Sequence, residues 1–179
     1  MIEVEAKIKI KNPEEFRKKI SEIARLIKKE KKIDDYYTLE SLKIYPKKSL
    51  RVRKTNQGYE INFKQHLSYV NGVHAKKEQE FKVTDIQNFL SLIKDFGFKK
   101  WLTKIKYSET YEISKNFHVE INNVKKLGWF IEVEYLAKQN EISYARTQVL
   151  KIIGELNLDK ESIIKEGYTK LLWDKQQLS

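Results

Sequence analysis

The opening segment IEVEAKIKI alternates without a break. Ile2, Val4, Ala6, Ile8 and Ile10 fall on one face, and Glu3, Glu5, Lys7 and Lys9 on the other. A period of two belongs to a β-strand, whose successive side chains point to opposite faces. The pattern then recurs along the chain. Arg51 and Arg53 share a face, as do Glu60 and Lys64, then Lys76, Glu78, Glu80 and Lys82, then Lys104 and Lys106. Glu120 stands alone, and Glu132 and Glu134 form a further pair. The opposite faces are apolar: Leu50 and Val52, Tyr59, Ile61 and Phe63, Phe81 and Val83, Val119 and Ile121, Ile131 and Val133. One such strand is the wet face of any antiparallel sheet. A whole set carrying mixed charges at i, i+2 spacing demands a common explanation.

Amphipathic helices interrupt the strands. Asn12 as cap and Pro13 at the first helical position predict a helix with the stripe Phe16, Ile20, Ile23 and Ile27. Strands follow at 32–39, 50–53, 59–64 and 76–83, the last two joined through an Asn71-Gly72 hairpin turn. Thr84 and Gln87 have capping-box spacing for a second helix that runs through Asp95 and stops at Gly97. Strands resume at 98–106, 109–114, 117–122 and 129–135, with a turn at Leu127-Gly128. A helix over 142–156 and a shorter amphipathic segment over 159–173 complete the chain.

About eight strands in antiparallel hairpins, without a β-α-β rhythm, predict an α+β fold built on an antiparallel barrel or a strongly curved sheet. If the helices lie on the apolar outside of a closed barrel, the charged faces point into its lumen. Such a lumen is costly unless its charges pair or meet ligand and water. The chain has 179 residues, 40% of them hydrophobic, and no linker-like stretch, so a single domain over 1–179 is expected.

The net charge of +11 asks for a polyanion: nucleic acid, an anionic membrane surface or a small phosphate-rich ligand. The strand pattern favours the last. Arg51, Arg53, Lys64, Lys104 and Lys106 suit phosphate oxygens. Glu3, Glu5, Glu132 and Glu134 suit a divalent cation such as Mg²⁺, which takes a few carboxylates together with waters and phosphate. Interleaved glutamates would repel a nucleic acid. The charged, alternating start predicts no signal peptide or membrane span, and with no cysteine in the chain this points to the cytoplasm.

These residues resemble the CYTH superfamily of triphosphate tunnel metalloenzymes. Glu3-x-Glu5-x-Lys7 is similar to its E-x-E-x-K motif. The likeness continues in order through Asp34-x-Tyr36, Leu50-Arg51-x-Arg53, Lys64, Lys76-x-Glu78-x-Glu80, Lys104-x-Lys106, Leu127-Gly128-x-Phe130-x-Glu132-x-Glu134 and Gly167-Tyr168-x-x-Leu171-Leu172. The resemblance implies an eight-stranded antiparallel closed tunnel with helices outside, Mg²⁺ or Mn²⁺ as cofactor, and a triphosphate substrate: ATP, thiamine triphosphate or inorganic triphosphate. It implies catalytic roles for Glu3, Glu5 and Lys7, and phosphate binding by Lys7, Arg51, Arg53, Lys64, Lys76, Lys104 and Lys106. It implies metal binding by Glu3, Glu5, Glu120, Asn122, Glu132 and Glu134. The reaction it implies is triphosphate hydrolysis or class IV adenylyl cyclase-type cyclisation. Asn122 is the departure, standing where the family usually has Asp.

A non-catalytic polyphosphate binder and a basic RNA-binding module are the alternatives, and a homodimer stays open. His66, His74 and His118 share no spacing and receive no role. The run Lys28 to Lys32 reads as a solvated helix terminus, and Trp101, Trp129 and Trp173 as core or helix-packing residues. No nucleophile motif or glycine-rich phosphate loop occurs.

Overall fold

The computed structural model describes residues 1–55 and 58–178. Eight antiparallel strands, β1 (Ile2–Ile10), β2 (Arg25–Thr38), β3 (Leu50–Thr55), β4 (Gly58–Val70), β5 (Val73–Val83), β6 (Lys99–Ser114), β7 (Phe117–Val124) and β8 (Gly128–Ala137), carry the fold. They close into a barrel in the order β1-β5-β4-β3-β2-β6-β7-β8, with β8 returning to pair β1. Four helices, α1 (Pro13–Ile23), α2 (Ile86–Asp95), α3 (Ile142–Glu155) and α4 (Tyr168–Gln177), surround it. The expected α+β barrel is therefore the fold. No helix among the described residues is long and apolar enough to cross a membrane.

The apolar faces point outward and are largely covered by helices, although Ile33, Phe81 and Tyr107 remain exposed. Val4, Ala6 and Ile8 of β1 join Val119, Ile121, Ile131 and Val133 in one core with Ala145, Val149, Ile152 and Ile153 of α3. On another wall Val52 and Ile61 pack with Ile86, Phe89 and Leu90 of α2. Val124, Phe130 and Tyr168 pack with Ile164 and Leu171, seating the C-terminal segment against the barrel. That segment is also held by backbone: the Ile164 amide donates to the Lys7 carbonyl at 2.8 Å. With the outer faces covered in this way, the charged positions turn inward.

Several element boundaries differ from expectation. The first helix ends at Ile23, and Ala24 is already extended, so Ile27 and the run Lys28 to Lys32 belong to β2. The cause is long-range: β2 pairs with β6 from Arg25 through Thr38, and such pairing overrides a local helical stripe. Asn12 caps the helix by position but without a side-chain hydrogen bond. The second helix is capped by Asp85, whose carboxylate accepts from the Asn88 amide at 3.0 Å, and not by Thr84. The two strands expected at 98–106 and 109–114 are one strand, β6. The stretch 159–173 splits into a single 3₁₀ turn, Lys160–Ser162, and α4. The Asn71-Gly72 turn forms as expected, both residues having positive φ.

Candidate active site and metal centre

Inside the barrel is a cavity of about 600 Å³. Register brings the inward residues side by side: Glu5 opposite Glu134, Lys7 opposite Glu132, Glu3 opposite Lys76, Asp34 opposite both Arg53 and Lys104, and Glu120 opposite Glu132. Every expected phosphate-binding residue lines this cavity: Lys7, Arg51, Arg53, Lys64, Lys76, Lys104 and Lys106. The expected metal-binding carboxylates line it too, but in two groups.

In the first group, carboxylate oxygens of Glu3, Glu5 and Glu134 all lie within 4.8 Å of one another. Lys64 bonds to Glu3, and Lys76 to Glu5. Burial raises the Glu5 pKa, yet Lys76, Lys64 and Lys7 outweigh it and hold this carboxyl well below its usual range. At Glu3 burial wins over Lys64 and pushes the carboxyl up. Burial, with Glu3 beside it, pushes Glu134 up well above the usual range. The cluster thus lacks positive charge at one carboxyl. Three hard oxygen donors with such a deficit fit Mg²⁺ or Mn²⁺.

In the second group Lys106 bridges Glu120 at 2.8 Å and Glu132 at 3.4 Å, and Lys32 reaches Glu120 at 2.8 Å. Burial opposes the Lys106 charge, but Glu120 and Glu132 raise its pKa nonetheless. Asn122 is fully buried. Its amide oxygen accepts from the Ser108 hydroxyl at 2.6 Å, and its amide nitrogen donates to Glu120 at 3.2 Å. The structure therefore sets Glu120, Glu132 and Asn122 around Lys106 and Ser108, apart from the Glu3, Glu5 and Glu134 cluster.

Opposite these, Asp34 accepts a two-pronged bond from Arg53, at 2.6 and 2.8 Å, and pairs with Lys104 at 3.0 Å. Burial alone would raise its pKa; Lys104, Arg53 and Arg51 instead drive it far below the usual range. Arg51 keeps its Nε buried without a hydrogen-bond partner among the described residues, and its guanidinium lies 3.5 Å from Glu80. Lys7 donates to the Glu166 carbonyl at 3.3 Å and sits 4.6 Å from the centre of the Tyr168 ring, and burial loosens the proton on its ammonium. The Tyr168 hydroxyl is buried beside Glu132, and burial together with that carboxylate raises its pKa well above the usual range.

Sequence reasoning missed several lining residues. Lys32, read as part of a solvated helix end, faces the lumen because it belongs to β2. His66 and His74, given no role, line the wall, with ring centres 5.5 Å apart. Trp101 lines the cavity with Tyr36 and Tyr45 and, as a helix-packing residue would, also meets Trp173 of α4, with ring centres 5.8 Å apart. The inward parity of Lys32 follows from Asp34 two residues on, a signal available once both are placed in one strand.

The chain belongs to the CYTH domain family, whose model matches residues 1–168. A Methanocaldococcus jannaschii protein named as a candidate adenylate cyclase is 26% identical over 175 residues, covering 96% of this chain and 98% of the relative. A Pyrococcus horikoshii OT3 protein of known structure is 28% identical with a TM-score of 0.80, over 94% of this chain and 98% of that one. A Hippeastrum protein, described as a candidate adenylyl cyclase with dominant triphosphatase activity, shares the fold at 13% identity and a TM-score of 0.65, over 98% of this chain and 96% of its own.

Proposed function

We propose that this protein is a metal-dependent enzyme acting on a small triphosphate. The observation that carries the reading is the junction, in one cavity, of the Glu3, Glu5 and Glu134 cluster with a wall of buried Arg and Lys. Without ligand these cations pair with the carboxylates, as Lys64 does with Glu3 and Lys76 with Glu5. A polyphosphate offers the cations other acceptors and frees the carboxylates for a metal, so both signs of charge exchange their mutual pairing for new partners when substrate and metal bind together. Arg51, with an unpartnered buried Nε, and Lys104 and Lys106 hold phosphate oxygens, while Lys7 presents its Nζ beside Glu132 and Tyr168.

Mg²⁺ or Mn²⁺ held by Glu3, Glu5 and Glu134 would neutralise phosphate charge and activate the attacking oxygen. Glu120 and Glu132 set the charge of Lys106, and Asn122 supplies a neutral oxygen where the related motif has a carboxylate. Water as acceptor gives triphosphate hydrolysis; a ribose 3′-hydroxyl attacking the α-phosphorus gives a cyclic nucleotide and pyrophosphate. The name of the Methanocaldococcus relative supports the second reaction as a candidate. A basic RNA-binding module is disfavoured, because these cations line the inside of the barrel among carboxylates rather than an uninterrupted basic surface.

The test is incubation with ATP, thiamine triphosphate or tripolyphosphate, with and without Mg²⁺ or Mn²⁺, from neutral to alkaline pH and at raised temperature. Phosphate, pyrophosphate and cyclic AMP are resolved. Metal-dependent release of any of these is the expected result. Tight binding with no turnover of any of the three would instead favour a non-catalytic polyphosphate binder, for which the neutral Asn122 is the supporting observation.

A further inference from the structure

The lumen does not account for the charge of the chain. Nine cations and seven carboxylates line the cavity among the described residues, so most of the net charge of +11 lies outside it. Part of that excess gathers where β2 ends and β6 begins, around the loop 39–49. Thr38 pairs with Lys99, which sets the start of the loop beside the start of β6. A Leu39 methyl lies 3.8 Å from where a Cβ on Gly97 would stand, next to Phe96 at the end of α2. The Thr38 hydroxyl donates to the Lys48 carbonyl at 2.6 Å, and the Glu40 carboxylate accepts from the Lys47 and Lys48 amides at 2.5 and 3.2 Å. The loop is therefore pinned at both ends, and each residue between Glu40 and Lys47 is within about 10 Å of chain from an anchor.

This pinned loop and the neighbouring end of α2 present apolar side chains to water. Leu39 is 62% exposed, Ile44 67% and Phe96 72%, and Leu42 is exposed as well. On the same segments Lys43, Lys48, Lys94 and Lys99 are exposed and make no ion pair among the described residues. Glu40 is bound to the loop amides, and Asp35 holds Lys100 at 2.8 Å, which leaves Asp95 against four lysines.

We propose that this face docks on the surface of an anionic lipid bilayer. Apolar tips beside lysines suit such an interface: the tips enter the acyl boundary, and the long lysine stems lie along them while the ammonium groups meet lipid phosphates. Other occupants fit less well. Lysine is depleted from protein–protein interfaces, and a second copy docked on this face would bring the same lysines against each other. RNA would meet the lysines but gain little from Leu39, Leu42 and Ile44, whose side chains offer no ring for a base to stack on. The proposal stands apart from the triphosphate reading, and neither needs the other.

The experiment is co-sedimentation of the full chain with vesicles of phosphatidylcholine alone and with vesicles that also contain phosphatidylglycerol. The protein should sediment with the second and much less with the first, and rising salt should weaken the association. Lys43→Ala and Lys99→Ala should each lower the partition into anionic vesicles about 5-fold. Ile44→Ser and Phe96→Ser should each lower it roughly 10-fold with every lysine in place. None of these four residues lines the cavity. Circular dichroism serves as the control for folding, and if Phe96→Ser does not fold, Ile44→Ser in the loop decides. No sedimentation, equal sedimentation with both vesicles, or a partition that Ile44→Ser leaves unchanged overturns the proposal. A dimer in sedimentation equilibrium that Ile44→Ser dissociates would assign the face to a second copy, and binding of polyuridylate weakened by Ile44→Ser would assign it to RNA; either result overturns the proposal too.

Discussion

Glu134 and Glu3 meet in the lumen as a like-charged pair, and burial pushes both carboxyls up, Glu134 the further of the two. Glu134 therefore holds a proton more tightly in the folded state than in the unfolded chain, whose ordinary value is 4.5. The stability this confers is complete below that value and is lost as pH rises through the folded pKa. His74 contributes with the opposite sign near neutrality, because burial and Lys76 lower its pKa. Relative to Glu134→Gln, metal-free wild type should lose stability as pH rises from 5 toward 8, by up to about 1.4 kcal/mol for each unit that the pKa is raised. Saturating Mg²⁺ should restore it in wild type and much less in the variant. Parallel pH profiles from thermal unfolding would argue against a proton at Glu134.

Asp34 predicts acid sensitivity at the opposite wall. Its carboxylate, fully buried, satisfies Arg53 and Lys104 together. Asp34→Asn leaves those cations without their counter-charge, and should cost about 3–5 kcal/mol in urea unfolding. In wild type the Asp34 contribution is present above its unfolded value of 3.8 and lost as pH falls toward the folded one. Glu5 and Glu120, also held well below their usual range, act in the same direction. Wild type should unfold in acid with a steeper dependence on pH than Asp34→Asn.

Glu5→Gln tests the metal role most directly. The amide keeps the size of the side chain but removes the one carboxyl of the cluster that its surroundings hold firmly ionised. Metal-dependent turnover should fall by roughly 100-fold or more, with circular dichroism unchanged. Retention of full turnover would refute the assignment of this residue to the metal.

Asn122→Asp tests the departure from the family pattern. Asn122 now donates to Glu120, and an aspartate there would face that carboxylate as a like charge. The metal-free variant should lose about 1–3 kcal/mol at neutral pH. It should also gain more stability from Mg²⁺ than wild type does, because a cation removes the repulsion. An Mg²⁺ response equal to that of wild type would show that this position does not reach the metal.

Much of this was legible from the residues. The alternation of β1 placed Glu3, Glu5 and Lys7 on one face, and the same parity in β3, β6 and β8 placed Arg51, Lys104, Lys106, Glu132 and Glu134 on the same wall. Parity within a strand is local and survives without coordinates. What depends on cross-strand register did not survive. Lys32 was hidden because five charged residues in a row look the same at a helix end and in an overhanging strand. Trp101 was hidden because a bulge in β6, where Tyr36 pairs with Leu102 and Tyr37 with Lys100, reverses its side, and nothing in KKWLTK marks the extra residue. The division of the glutamates into two groups follows from which lysine reaches which carboxyl, a matter of packing rather than pattern.

Closure of the barrel by β1 against β8 has a temporal consequence. The three-carboxylate cluster takes two members from residues 3 and 5 and the third from residue 134. No N-terminal fragment that stops before β8 contains it, so a growing chain lacks the complete cluster until β8 has been made. Joining the first strand to the last also makes contacts between residues far apart in sequence, whose loop entropy slows folding, part of completing the site. Metal capture is therefore expected to accompany the last step of folding, and a partly folded chain has no assembled centre with which to hold the ion.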